Sequence, residues 1–172
     1  MKTIILGIDP GSRCTGYGVI WVEGSHQGHI AHGVIRTDFE EMEKRLYQIY
    51  ETLSRLIDEH QPHEAAIEQI FMNQNPQSAL KLGQARGAAL VAIASKQLSL
   101  SEYSPREVKQ AVVGYGAAEK KQIQHMIGSL LSLKKTISSD AADALAIALC
   151  HANNRTIRQR LKQAVVTAGE KA

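Results

Sequence analysis

Residues Thr3–Val22 read TIILGIDPGSRCTGYGVIWV, and this stretch decides the fold. Thr3–Asp9 is β-branched and apolar and stops at Pro10-Gly11; Gly16–Val22 resumes with Tyr17, Val19, Ile20 and Trp21. A third run, His29–Arg36, carries Ile30, Val34 and Ile35, and Gly24, Ser25 and Gly28 separate it from the second. Three strands joined by short turns predict an antiparallel meander. Beyond it the period lengthens. Met42, Leu46, Ile49, Tyr50, Leu53, Leu56 and Ile57 recur at steps of three and four, predicting an amphipathic helix over Glu40–His60 that ends at Gln61-Pro62. Glu64–Gln69 (EAAIEQ) reads as a short buried strand, Pro76–Gln97 as a helix and Leu98–Tyr103 as a further strand. Helices are predicted around Pro105–Val112, Ala117–Leu131 and Asp140–His151. The expected fold is α/β, a five-stranded mixed sheet combining the meander with parallel strands, flanked by helices on both faces.

The 172 residues, 44% hydrophobic and 22% charged, suit one domain with its own core. Residues 1–154 are read as that domain and residues 155–172 as a basic, mobile C-terminal tail, because the apolar stripe is lost after Asn153. Cys14 and Cys150 lack CxxC spacing, which excludes a disulfide scaffold and a cysteine zinc module and fits a reducing cytoplasm. The longest apolar run, Ala88 to Ala94, is far shorter than the ~20 residues of a membrane span. Asp9 and Pro10 follow Ile4–Leu6 too soon for a signal peptide, so a cytoplasmic protein without a membrane segment is expected. Charge is uneven: Ser104–Thr136 and Arg155–Ala172 are each net +4, leaving −5 on the rest of a chain of net charge +3. That asymmetry points to a polyanion-binding side.

Four carboxylates stand out by position. Asp9 ends a strand where the chain turns sharply, although an Asp before Pro-Gly can also simply form the turn. Glu68 ends the short fourth strand, where a carboxylate gains nothing structural. If the fourth strand lies parallel beside the first, the two become neighbours in the crevice outside the strand ends. Asp140 and Asp143 stand three apart in SSDAADALA, on one face of a helix's first turn; Asp140 alone could serve as a cap. Oxygen donors without a Cys or His cluster suit Mg²⁺ or Mn²⁺, and without metal the four would repel until one held a proton.

Five blocks then carry a resemblance. ILGIDPGSRCTGYGV (Ile5–Val19), AIEQIFMNQN (Ala66–Asn75), SALKLGQARG (Ser78–Gly87), VKQAVVGYGAAEK (Val108–Lys120) and DAADALAIA (Asp140–Ala148) are similar, in order, to the RuvC family of Holliday-junction endonucleases. The resemblance spans about residues 3–151 and implies a ribonuclease-H-like fold and a homodimer. It implies resolution of four-way (Holliday) DNA junctions in homologous recombination and repair by paired symmetric nicks. Catalytic and metal-binding roles fall on Asp9, Glu68, Asp140 and Asp143, holding two Mg²⁺ (Mn²⁺ as substitute), with hydrolysis leaving 5′-phosphate and 3′-hydroxyl ends. Lys109 and Lys120 would offset charge on the phosphate, and Phe71 would stack on an unpaired base near the crossover. The branch-migration proteins RuvA and RuvB are implied as partners.

Arg13, Lys81, Arg86 and Lys121 join Lys109 and Lys120 as candidate backbone contacts on charge grounds. The Ser78–Gln97 helix is apolar around nearly its full turn, so either it is wholly buried or one face meets a partner, which a two-fold dimer would supply. Cys14 is expected as a small buried hydrophobe and His125 as a helix-surface residue. Two other readings stay open. DPGSRCTGYG resembles the phosphate loop of actin-like and sugar-kinase ATPases, whose two lobes exceed this chain's length, and a junction-binding scaffold with a dead site is a non-enzymatic option.

Overall fold

The structure, a computed structural model, describes residues 1–70, 75–114 and 119–169, with side chains described to residue 155. The predicted meander forms: β1 (Thr3–Asp9), β2 (Cys14–Glu23) and β3 (His26–Arg36) pair antiparallel in sequence order. Helix α1 (Met42–His60) crosses to β4 (Glu64–Glu68), which lies parallel to β1, and α2 (Pro76–Ser95) leads to β5 (Ser99–Tyr103), parallel to β4. Three helices follow, α3 (Pro105–Val113), α4 (Lys120–Leu130) and α5 (Ser139–Gly169). The strand order β3-β2-β1-β4-β5 is the ribonuclease-H-like arrangement.

Alternation along the strands sorts the core into two layers. Leu6, Ile8, Ala65 and Ile67 face α1 and α2, meeting Ile49, Leu53, Ala89 and Ile93. Ile5, Ile20 and Ala66 face the other way, toward α3, α4 and α5, with Ile123, Ile127, Leu145 and Ile147. Helix α5 runs on to Gly169, where His151 was the expected end. The apolar pattern stops near His151, but Arg, Gln, Lys, Leu and Ala are good helix formers and let the backbone continue as a helix. Helix α2 is not wholly buried. Ala85, Ala89, Ala92 and Ile93 pack inward, while Leu80 and Val91 are 64% and 59% exposed. Among the described residues no helix is long and apolar enough to cross a membrane.

Helix α5 lies almost on the sheet backbone, and glycines permit it. A Cβ at Gly7 would stand 2.2 Å from the Ala144 carbonyl oxygen, and one at Gly16 would stand 2.0 Å from that of Asp140. Any side chain there lifts the helix. Gly16→Ala is therefore expected to destabilise the fold by about 1–3 kcal/mol, lowering the midpoint of thermal unfolding by about 5 °C. Thermal melts followed by circular dichroism check this; an unchanged midpoint would show that α5 has room to move.

Candidate active site

The strand register assembles the first half of the site. Ile8 pairs with Ile67 in the parallel ladder, so Asp9 and Glu68 are the next residues at adjacent strand ends. By the two-residue period, Asp9 shares a face with Ile5 and Gly7, and Glu68 shares one with Ala66, which is the side covered by α5. Asp140 and Asp143 occupy the first turn of α5, and the Asp140 carbonyl sits over Gly16, the β2 partner of Asp9. Four carboxylates from three elements thus converge.

The carboxylates act on one another electrostatically. Burial pushes the Asp9 carboxyl up to about 8, reinforced in turn by Glu68, Asp143 and Asp140 and only partly opposed by Lys120. Glu68 is raised above the usual carboxylate range chiefly by burial, with Asp143 adding and Lys120 and Lys109 opposing. Asp143 is raised mainly by burial too; Lys120 opposes most strongly and Asp140 adds. Lys120 Nζ lies 3.7 Å from Asp143 Oδ2 at an exposed position, and half-buried Lys109 reaches the same cleft from α3.

The remaining predicted residues are dispersed. Arg13 is exposed in the turn between β1 and β2, Lys81 is exposed on α2, and Lys121 is exposed on α4. Arg86 is committed within the protein: its guanidinium pairs with Glu102 at 2.8 Å, and its Nε donates to the Glu68 carbonyl at 3.4 Å. Phe71 lies outside the described residues. His125 is on the α4 surface as expected. Cys14 is only half-buried, because it opens β2 beside exposed Arg36, whose guanidinium donates to Sγ at 3.7 Å.

Sequence reasoning missed the support behind the carboxylates. The Arg86 contact with Glu68 joins residues 18 apart, and its basic charge alone suggested an outward role. The donor set fits a hard divalent cation: it is all carboxylate oxygen, half-buried, and carries mutual repulsion that a cation would relieve. Among the described residues no three His, Cys, Asp or Glu side chains are already drawn together as ligands of one ion.

Comparison with known proteins agrees with the geometry. Residues 5–151 match the family described as Crossover junction endodeoxyribonuclease RuvC. The chain is 62% identical over 163 residues to the crossover junction endodeoxyribonuclease RuvC of Coxiella burnetii (strain RSA 331 / Henzerling II), with 95% of each covered. It is 54% identical over 159 residues to that of Geobacter sulfurreducens, covering 92% of this chain and 97% of the relative. The solved structure of T. thermophilus RuvC in complex with Holliday junction substrate superposes with a TM-score of 0.82 at 35% identity, covering 87% of this chain and 93% of that one.

The raised Asp9 carboxyl makes a stability prediction. A carboxyl at about 8 in the fold, against 3.8 when unfolded, favours the protonated native state. The metal-free fold therefore loses about 1.4 kcal/mol per pH unit through this group as pH rises between the two values. Asp9→Asn is expected to be more stable than wild type in chelator at pH 8.5, with the difference shrinking at pH 6. Denaturant titrations at both pH values test it; equal stability at pH 8.5 would contradict the burial of charge at this site.

Proposed function

The chain belongs to the RuvC family, and on that premise we propose that it is a metal-dependent crossover junction endodeoxyribonuclease acting on four-way (Holliday) DNA junctions in recombination and repair. The observation that carries the reading is the Asp9 carboxyl, half-buried at the meeting of two strand ends and a helix start among three further acids. Asp9, Glu68, Asp140 and Asp143 would hold two divalent cations, Mg²⁺ with Mn²⁺ as substitute. When bound, such cations acidify water and stabilise the departing 3′ oxygen. Water oxygen adds to phosphorus in line with that leaving group, the P–O3′ bond breaks, and a 5′-phosphate and a 3′-hydroxyl remain. Lys109 and Lys120, which oppose the raised pKa of Glu68 and Asp143, would offset charge on the phosphate oxygens as it builds.

Exposed Arg13, Lys81 and Lys121 suit the phosphate backbone, whereas Arg86 serves better as an internal support for Glu68. Phe71 stays as the proposed stacking wedge. Residues 1–154 are proposed as the nuclease domain and residues 155–172 as a basic tail, in a cytoplasmic protein working with the branch-migration proteins RuvA and RuvB.

A homodimer is part of the same reading. Leu80, Gly83, Gly87 and Val91 recur at helical spacing on α2, with Leu80 and Val91 exposed and open space beside both glycines. A two-fold partner would cover this apolar strip and place a second cleft for the paired nick.

Two experiments test these proposals. With labelled four-way junction and linear duplex, each with and without Mg²⁺, wild type is expected to nick only the junction in metal and to leave ligatable products. Asp9→Asn is expected to bind the junction and not cut; normal cutting by that variant would overturn the reading. Separately, Val91→Glu is expected to convert a species of twice 18.8 kDa into one of 18.8 kDa by light scattering. A wild-type chain that is already monomeric at micromolar concentration would reject the dimer.

A further inference from the structure

A buried polar chain links the two halves of the site from behind. Glu64 opens β4 with the same parity as Glu68, so both point toward α5. Its Oε2 accepts from His151 Nε2 at 2.7 Å, and both its oxygens accept from Arg155, Oε1 at 2.5 Å and Oε2 at 3.2 Å. The Arg155 guanidinium also donates to Thr3 Oγ1 at 3.2 Å. The other imidazole nitrogen, His151 Nδ1, lies 2.8 Å from the Tyr103 hydroxyl. An ionised Glu64 can only accept, so Nε2 carries the hydrogen of that bond, and Nδ1 pairs with the Tyr103 hydroxyl. Tyr103 is fully buried, and His151 and Glu64 are 4% and 8% exposed.

The two ends of this chain matter for the carboxylates. The Tyr103 backbone brackets Glu68: the two residues are register partners, and the Tyr103 carbonyl accepts from Gln69 N at 2.8 Å. His151 and Arg155 lie on α5, three and four turns beyond Asp140 and close to the same face. Where α5 crosses β1 the contact is alanine on glycine, Ala144 and Ala148 over Gly7. Such a contact resists compression but opposes sliding along the helix axis weakly. A hydrogen-bonded anchor does oppose it.

We propose that Tyr103, His151, Glu64 and Arg155 are positioning residues that set where Asp140 and Asp143 stand relative to Glu68, and thereby the affinity of the site for a divalent cation. The role rests on the functional reading above, since it takes the four carboxylates as the ligands. Releasing the anchor leaves the ligands present and misplaces them, as losing outer partners does at other metal sites.

The test titrates Mn²⁺ calorimetrically into the full chain without DNA, comparing wild type with Asp9→Asn, Tyr103→Phe, His151→Leu and His151→Gln. Tyr103→Phe keeps the buried ring, and His151→Gln keeps a donor and an acceptor. Wild type is expected to bind and Asp9→Asn to lose binding. Tyr103→Phe and His151→Leu should bind about five-fold more weakly, and His151→Gln should recover most of the loss. In cleavage assays the Mn²⁺ concentration for half-maximal rate should rise while the rate at saturating Mn²⁺ stays near wild type. Wild-type affinity in Tyr103→Phe, or a drop in folded fraction in place of weaker binding, overturns the proposal. If wild type and Asp9→Asn titrate alike, the functional reading itself fails and the positioning role fails with it.

Discussion

The close approach of α5 to the sheet, backbone against backbone at Gly7 and Gly16, is the constraint on which the rest depends. Asp9 and Glu68 are fixed by a parallel ladder, so their separation follows from strand spacing. Asp140 and Asp143 belong to another element and reach them only because no side chain stands between helix and strands. The same crossing is lined by Ala141, Ala142, Ala144 and Ala148, all buried. Small residues here trade apolar area for proximity, and Ile123, Ile127, Leu145 and Ile147 supply the area elsewhere in the same layer.

Bringing four acids together runs against stability. Asp9, Glu68 and Asp143 are all shifted toward the protonated form, with burial as the largest cause in each. The fold opposes this strain with structure around the cleft. Lys120 and Lys109 bring positive charge from α4 and α3, Arg86 ties the Glu68 backbone to Glu102, and α5 is pinned at its far side by Glu64. Glu64 shows the contrast: buried as well, it is held at about 2 by the His151 hydrogen bond and by Arg155, which together outweigh its burial. One carboxylate of β4 is satisfied within the protein, and the one four residues on is left wanting a cation.

Much of this was legible in the sequence because it is local or periodic. The end of the apolar run placed Asp9 at a strand end, helix phase paired Asp140 with Asp143, and Pro-Gly and Gln-Pro marked the turns. The parallel pairing of β1 and β4 entered only as a condition, and the structure meets it. Contacts between distant residues of unremarkable type were not legible. Glu64 meets His151 and Arg155 across 87 and 91 residues, and nothing in EAAIEQ distinguishes the first glutamate from a solvated strand start. Arg155 counted toward the basic tail by charge, yet its side chain docks on the sheet. The length of α5 was hidden for a different reason, since propensity sustains a helix where the apolar stripe no longer reports it.

The two signs of charge on the molecule act at different ranges, and that separation resolves an apparent conflict. A polyanion drawn to an acidic cleft would be repelled by four carboxylates, yet several cations lie on helices beside it. Arg106 and Lys109 on α3, and Lys120 and Lys121 on α4, project from helices that pack on α5, the carrier of Asp140 and Asp143. Exposed cations attract over roughly a Debye length of ~8–10 Å, whereas Asp9, Glu68 and Asp143 are shifted toward the protonated form, which weakens their repulsion until a cation binds. Attraction therefore governs approach, and at contact the last step requires a species that both the phosphate and the carboxylates can share. Divalent cations meet that requirement and lysines meet half of it, which is why burial that raises three carboxyl pKa values is tolerated beside lysines that only partly lower them.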